Sequence, residues 1–378
     1  MKKLFAIGFA ALLLVAFTVP AMAKVDVGGI IFTDFYYFSQ DNENKAGDTS
    51  DYSATRIQVP NITRLKAKWT NENGVGMFIE FGIGDDTAGG SGNAGVSLRH
   101  AYGWWDVNPG FTLMVGHSTT PFSPLTPTQL MGLRSPGGPH VIGLLFGEFY
   151  SGRFPQVRGT FKFSKNARLA IALVDPNVTT TSPFTATSAT EFSDNDSKMP
   201  RIDIGMPLYF GNVKLYPGIF YHEQTYDDVL AGQDDSITSW GASLGLTAGF
   251  GPVTIAGEIQ TGENWGNTRA TAPGLGASAS TAGKVTDAKV ISGWLDVGFK
   301  LGPATPHVIY GQISEERDVN DVTAAQDWTR TMYGVHIVIP VAKTFLIRPE
   351  LMVYDYESGV GVDAGKQMIA GVQFMIAF

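Results

Sequence analysis

The chain has 378 residues, a formal charge of −8 and only 16% charged residues, against about 25% in ordinary soluble domains. It contains no cysteine, which excludes a disulfide scaffold, a thiolate metal site and a cysteine nucleophile. The acidic balance argues against a general nucleic-acid binder, which needs a basic surface for phosphate; 45 glycines, 24 Phe, 13 Tyr and 7 Trp among many short apolar stretches point to one all-β body.

Residues 1–23 have the form of an export signal. Lys2 and Lys3 open the chain, an apolar stretch runs from Leu4 to Val19, Pro20 ends it, and Ala21-Met22-Ala23 supplies a small-x-small cleavage pattern. We expect cleavage after Ala23, leaving a mature body over 24–378. A retained anchor is the competing reading, but the run is short and ends in a cleavage pattern. No cysteine follows the leader to carry a lipid anchor. No later stretch reaches about 18 consecutive apolar residues, so no membrane helix is expected. The exported body is then either soluble or a membrane barrel.

From Lys24 onward the residues alternate with the period of two that belongs to strands. In chain order the predicted strands are 25–38, 55–69, 75–84, 95–108, 111–118, 153–164, 167–175, 200–210, 213–224, 238–250, 252–262, 287–300, 305–314, 329–340, 344–357 and 366–378. These are about sixteen, an even number as in single-chain bacterial barrels; fourteen or eighteen also fit the uncertain strand ends. Most have the roughly 9–11 residues that cross a bilayer at a tilt. Asn71-Glu-Asn-Gly74, Pro109-Gly110, Gly211-Asn212, Gly251-Pro252 and Gly302-Pro303 carry turn chemistry. The intervening connections 39–54, 85–94, 119–152, 176–199, 225–237, 263–286, 315–328 and 358–365 are longer, and several are rich in Asp, Asn, Ser, Thr and Gly. Short periplasmic turns and long external loops have this asymmetry. The first strand starts directly after the leader, so no plug domain is expected ahead of it.

The second strand separates its two faces clearly. Arg56, Gln58, Pro60, Ile62, Arg64, Lys66 and Lys68 fall on one face, and Ile57, Val59, Asn61, Thr63, Leu65, Ala67 and Trp69 on the other. Turning the basic set to lipid would cost about 2–4 kcal/mol for each Arg or Lys near the midplane, so that set faces an aqueous lumen. A half-exposed strand of a soluble sandwich is the alternative for any one strand, but the split repeats. Arg158 and Lys162 oppose Val157, Phe161 and Phe163; Arg201 and Asp203 oppose Ile202, Ile204 and Met206. Lys214 and His222 oppose Val213, Leu215 and Ile219; Arg348 and Glu350 oppose Ile347, Leu351 and Val353. Tyr37, Trp69, Trp104, Tyr221, Phe250 and Phe299 near strand ends fit interfacial girdles. Strict alternation would turn His100 outward, and it leaves the facing of 305–314 open.

The closing segment 366–378 puts Met368, Ala370, Val372, Phe374, Ile376 and Phe378 on one face, with Gln367, Ile369, Gly371, Gln373, Met375 and Ala377 on the other. This ending resembles the C-terminal signal of bacterial outer-membrane barrels, which implies recognition of Phe378 by the barrel-assembly machinery. Segment 119–152 is the longest gap and would be the third external loop. With it the mature chain resembles a sixteen-stranded, trimeric bacterial porin, in which the third loop folds into the barrel and narrows the pore. The resemblance implies a homotrimer in contact with outer-membrane lipid of a Gram-negative type bacterium. Gly116-His-Ser-Thr-Thr-Pro-Phe-Ser-Pro-Leu-Thr-Pro127 looks like the loop entry of some substrate-selective trimeric porins. The acidic Pro-Glu-Phe-Gly-Gly-type loop motif of enteric porins is absent, which puts a cation-selective constriction in doubt.

The loop's own residues also favour inward folding. Phe122, Leu125, Leu130, Met131, Leu133, Val141, Ile142, Leu144, Leu145, Phe146, Phe149 and Tyr150 are too apolar for a freely solvated loop, and five prolines stiffen it. An outer rim loop at a subunit contact is the alternative. Arg134, His140, Glu148 and Arg153 are the candidate constriction charges. The lumen-facing bases would be Arg56, Arg64, Lys66, Lys68, Arg99, Arg158, Lys162, Arg168, Arg201, Lys214, Lys300, Arg330 and Arg348. The lumen-facing acids would be Asp26, Asp34, Glu80, Asp203, Glu258, Asp296 and Glu350. A basic excess favours anions.

The expected function is passive diffusion of small hydrophilic solutes with weak anion preference. A channel selective for small anions such as dicarboxylates, or a barrel sheathing an electron-transfer partner, are the alternatives. No enzyme is expected: Gly-x-Ser-x-Gly, His-Glu-x-x-His and P-loop patterns do not occur, and six histidines are scattered over many elements. No cofactor and no metal site are expected from that scatter. Asp194-Asn-Asp196 and Asp234-Asp235 could hold calcium at a rim, though loop acids are usually just solvated.

Overall fold

The computed structural model describes residues 24–40, 52–60, 62–84, 95–128, 131, 146–149, 152–175, 195–196, 199–226, 229–268, 276–279, 283–317, 326–358 and 365–378. Sixteen antiparallel strands form a sheet that closes on itself. They are β1 (Lys24–Gln40), β2 (in two pieces, Tyr52–Gln58 and Arg64–Thr70), β3 (Val75–Gly84), β4 (Gly95–Asn108), β5 (Phe111–Thr119) and β6 (Arg153–Ser164). Then come β7 (Ala167–Val174), β8 (Arg201–Gly205 and Leu208–Phe210), β9 (Val213–Tyr226), β10 (Ser236–Phe250) and β11 (Val253–Glu263). β12 (Ala288–Phe299), β13 (Thr305–Arg317), β14 (Gln326–Ala342), β15 (Phe345–Ser358) and β16 (Gly365–Ala377) complete the wall. Each strand pairs with its sequence neighbours, and β1 also pairs with β16, Ile30 against Ala377 through Gln40 against Gln367. Gly29 and Phe378 exchange two backbone hydrogen bonds of 3.0 and 3.1 Å at the end of this seam.

Closure is what makes such a sheet possible in hydrocarbon, where an unsatisfied peptide group costs several kcal/mol. The two places where a proline interrupts a strand are repaired locally. At Pro60 the ladder between β1 and β2 lapses, and the Thr63 hydroxyl accepts from Phe32 N at 2.9 Å and donates to Phe32 O at 3.2 Å. At Pro207, the N–H of Met206 donates to Pro217 O at 2.9 Å and Arg168 N donates to Pro207 O at 3.2 Å. Gly211 (φ 60°) and Gly251 (φ 59°) each lead a two-residue turn, the position where a II′ hairpin needs positive φ. The short turns all lie at one end of the barrel and the long connections at the other, because the strands alternate in direction.

Residues directly opposite one another in a ladder share a face. Asp34 with Gln373, Tyr36 with Gly371 and Phe38 with Ile369 mark the inner face, while Ile31 with Ile376 and Phe35 with Val372 mark the outer one. Followed around the barrel, this parity puts Ile57, Val115, Val157, Leu173, Ile219, Leu244, Ile259, Ile291, Val308, Val335 and Leu351 outside, uncovered by the rest of the chain. Ile259 is 65% and Ile291 67% exposed. A belt of this extent is an aggregation surface in water and the ordinary surface of a barrel in lipid. Among the described residues no helix is long and apolar enough to cross a membrane; the apolar belt lies on the strands.

Two sequence-based expectations on β4 need correction. A bulge between Glu80 and Phe81 in the β3–β4 register sets His100 opposite Glu80 and leaves Arg99 as the extra residue. The added residue resets the alternation, so His100 faces inward, as does Arg99. Trp104 likewise faces the lumen, opposite Gly76 and Met114, and is no girdle residue; Trp105 is the outward one, 49% exposed. The open facing of β13 is resolved by its ladder: His307, Ile309, Gly311 and Ile313 are inward, and Val308 and Tyr310 outward.

The facing predicts an asymmetry of substitutions. Ile259→Arg should destabilise the barrel by about 2–4 kcal/mol in lipid vesicles. Thr160→Arg, on the lumen side, should change it by about 0.5 kcal/mol or less. Equilibrium urea unfolding in vesicles reads both; equal losses would show that the facing is misassigned.

Candidate functional site

The inner wall from β8 to β13 is rich in glycine, and parts of the connection between β5 and β6 lie on it. A Cβ at Gly205 would stand 2.3 Å from Pro121 O, one at Gly245 2.8 Å from Leu125 Cδ1, and one at Gly311 2.1 Å from Phe146 O. These absent side chains let the connection reach the wall. Its aromatic residues then pack on inward side chains. Phe122 meets Phe220 edge-on at 4.8 Å, and Phe149 meets Trp265, in the 3-10 turn Trp265–Asn267 after β11, at 4.5 Å. Both belong to a buried cluster with Val290 and Ile313. Met131 and Phe146 join Tyr36, Phe38, Trp294, Ile309, Met332, Met352, Tyr354 and Ile369 in a second cluster. Each such side chain contributes about 1.5–3 kcal/mol relative to leaving it in water.

Polar contacts fix the same segment to inward carboxylates. Ser123 Oγ donates to Glu258 Oε2 at 2.9 Å, and Gln260 Nε2 donates to that oxygen at 3.0 Å. Ser123 adopts φ 48°, a left-handed backbone unusual for a residue with a side chain. The Thr128 hydroxyl donates to Asp296, and Met131 N donates to Glu350 Oε1 at 3.0 Å. Three acids of β11, β12 and β15 are thereby engaged by one connection.

The opposite wall, β2 to β7 with the start of β9, carries bases. Arg99 Nε donates to Glu80 at 2.8 Å, and Arg64 lies 3.9 Å from the same carboxylate, so one acid serves two guanidinium groups. Lys162 pairs with Asp106 at 3.1 Å. Among the described residues, Lys66, Lys68, Arg158, Arg168 and Lys214 take part in no ion pair. Lys68 Nζ sits 5.5 Å from the Trp104 ring centroid. A cavity of about 380 Å³ opens here, lined by Lys68, Phe78, Tyr102, Trp104, Thr112, Met114, Arg158 and Thr160. It combines two cationic groups with an aromatic floor, a pairing suited to an anionic solute with an apolar body.

The other residues singled out in the sequence divide between structure and site. Arg201 and Asp203 face inward but are fully buried, joined by two bonds of 2.7 and 2.8 Å; Arg201 also donates to Thr268 O at 3.0 Å. This pair braces the wall. Asp34 accepts from Gln58 at 3.2 Å and Gln373 at 2.9 Å, and Arg348 donates to Gln373 at 2.8 Å. Arg330 pairs with Glu315 at 3.0 Å. Arg56 lies opposite Tyr36 on β1, away from Arg64 and Arg99. Arg153 Nε donates to His100 Nε2 at 3.2 Å, and Glu148 is buried. Arg134, His140 and Asp194 lie outside the described residues. Asp234 accepts from Lys284 Nζ and Val285 N, each at 2.8 Å; the bond from Lys284 and then that from Val285 hold its carboxyl below the usual carboxylate range. The scatter of histidines along the sequence does not survive folding, because His307 and His336 are direct cross-strand neighbours. Ser123, Thr128 and the inward aromatics Tyr102 and Trp104 were not singled out for this site. The sequence signal that could have found the docking wall is the run of inward glycines.

The family described as Gram-negative porin matches residues 10–347. Among solved structures the chain is similar to the outer membrane channel DcaP of Acinetobacter baumannii, at 16% identity over 95% of this chain and 99% of that one, with a TM-score of 0.67. It is similar to Salmonella typhi OmpF in complex with daunomycin at 10% identity, over 94% and 98%, with a TM-score of 0.54. It is also similar to the trimer form of in-vitro folded OmpT, an outer membrane protein of Vibrio cholerae, at 13% identity, over 94% and 99%, with a TM-score of 0.53. At these identities the likeness is one of fold. No curated protein matches the chain.

The glycine wall gives a direct test. Gly311→Val would drive a side chain into the Phe146 carbonyl and should cost about 1–3 kcal/mol. Cleavage by protease within 119–152 of the detergent-solubilised barrel should rise with it. Gly249→Ala, where an added Cβ meets nothing within 4 Å, should leave cleavage unchanged.

Proposed function

The chain belongs to the Gram-negative porin family and is an outer-membrane channel, and from that premise we propose that it passes small hydrophilic solutes by passive diffusion with a weak preference for anions. The observation that carries the preference is the division of inward charge. Glu258, Asp296 and Glu350 are engaged by donors of the β5–β6 connection, whereas among the described residues Lys66, Lys68, Arg158, Arg168 and Lys214 have no carboxylate partner. The three carboxylates are buried under the connection while most of these bases are exposed to the lumen, and a water path lined by bases rather than acids has a positive field. The connection 119–152 is the constriction in this proposal, since Phe122, Met131, Phe146 and Phe149 pack on inward residues.

The remaining parts of the proposal follow the family. Residues 1–23 are the cleaved export signal, and 24–378 form one barrel. Phe378 serves the barrel-assembly machinery, and its ring lies over Gly29 on the outer face beside the seam. Homotrimers would cover part of the outer apolar belt. The protein catalyses no reaction and binds no nucleic acid. An electron-transfer sheath is disfavoured, because side chains of the connection occupy space that an inserted partner would need.

A second reading, a channel selective for small anions such as dicarboxylates, is favoured by one feature. Lys68 and Arg158 line the same cavity and could each take a carboxylate.

Reversal potentials in a KCl gradient across planar bilayers test the anion preference. Chloride should be favoured at about 0.1 M salt and the preference should fade near 1 M, where the Debye length falls to about 3 Å. The double substitution Lys68→Glu with Arg158→Glu should shift the permeability ratio several-fold toward potassium. Cation preference in the unaltered protein would end the proposal. Saturable block of current by a dicarboxylate, lost in the same double variant, would establish the selective reading over general diffusion.

A further inference from the structure

Asp296 on β12, His307 on β13 and His336 on β14 meet on the inner wall, and each offers one ligand atom within 4.8 Å of the other two. The ladder creates the meeting. His307 pairs directly with His336, which stacks their rings at 4.5 Å and 13°. Asp296 Oδ1 lies 2.7 Å from His307 Nδ1. We propose that these three side chains bind one divalent ion of the zinc class inside the barrel.

The donor set of two imidazoles and one carboxylate suits zinc and its borderline neighbours, and is unlike the all-oxygen sets of calcium and magnesium. Zinc–nitrogen and zinc–oxygen bonds of about 2.0–2.2 Å place neighbouring tetrahedral ligands ~3.4 Å apart. Binding would then require side-chain rotations that open the 2.7 Å contact of Asp296 with His307 and turn the stacked rings toward one point. The independent sign of a ligand is His336. It is 1% exposed, and among the described residues neither ring nitrogen has a hydrogen-bond partner. A buried imidazole left this way loses the hydrogen bonds it had in water, and a metal ion supplies a partner for one nitrogen.

Access and support are also present. The His307 side chain is 14% exposed and gives the ion a way in from the lumen. The Thr128 hydroxyl donates to Asp296, the kind of outer contact that orients a ligating carboxylate. Glu350 stands opposite His336 on β15 with a buried Oε2 that has no partner among the described residues, and Arg348 lies on the same inner face. Asp296 leaves the three ligands with one negative charge when both histidines are neutral, so a divalent cation is bound with a single residual positive charge. Bound there, the ion would tie β12, β13 and β14 together and fix the carboxylate that holds Thr128.

The test uses the full mature chain folded in detergent. It is loaded with ZnCl2, dialysed against metal-free buffer and analysed by mass spectrometry for zinc per chain, with calorimetric titration of zinc alone. The unaltered barrel should hold one zinc with a Kd below about 10 µM. His336→Gln and His307→Gln should each weaken binding ~100-fold or more, the upper end of what loss of even an outer-shell group costs. No saturable site in the unaltered barrel, or equal zinc binding in folded variants, overturns the proposal. If the variants fail to fold, cobalt substituted into the unaltered chain decides. Intense visible bands of four-coordinate cobalt support the site, and the weak spectrum of the hydrated ion overturns it.

Discussion

A peptide group in hydrocarbon has no water to bond, and that single constraint shapes this protein. Every strand edge must find a partner, so the sheet cannot end; it closes where β1 meets β16. Once the wall is closed, the side chains are sorted by solvent. One face of each strand must be apolar, and the other is free to carry charge. The prolines at 60 and 207 would leave gaps in this scheme, and each is bridged by a nearby group, the Thr63 hydroxyl at one and backbone partners at the other.

A barrel of this size has an interior to fill, and it is filled unevenly. Glycines on β8, β10 and β13 remove side chains from one wall, and aromatic residues of the β5–β6 connection take the space. The same contact disposes of charge. Carboxylates on that wall accept hydrogen bonds from Ser123, Thr128 and Met131 N. The facing wall has bases in excess of acids, since Glu80 is shared by Arg64 and Arg99. Packing and polar contact thus have one origin: where the connection docks, acids are buried and hydrogen-bonded, and where it does not, basic side chains meet water. The stacked pair His307 and His336 lies within the docked half, beside the carboxylate that holds Thr128.

The strand pattern, the turns and the facing of most side chains were legible in the sequence. Alternation of period two is a local property, and the cost of placing Arg64, Lys66 or Lys68 in lipid chooses the face without further information. Where alternation alone misled, a local irregularity was responsible. The extra residue in β4 swung His100 inward, and Trp104 followed the ladder into the lumen. A bulge leaves no composition signal, so parity carried through it is wrong on one side. Which strand face carries a charged residue can be read from alternation, but its partners cannot. Arg201 and Arg348 read as pore bases, yet the first is buried against Asp203 and the second donates to Gln373.

By itself the sequence determined that the chain forms an even-stranded barrel with a hydrocarbon-facing exterior and a charged interior, because those properties depend on neighbours two residues apart and on transfer costs of single side chains. Only the tertiary structure decided which acids meet the β5–β6 connection, which bases face the cavity, and that Asp296, His307 and His336 converge. Those juxtapositions depend on register between strands distant in sequence and on where Phe122, Ser123, Thr128, Met131, Phe146 and Phe149 meet the inner wall, and the register is set by closure of the whole ring.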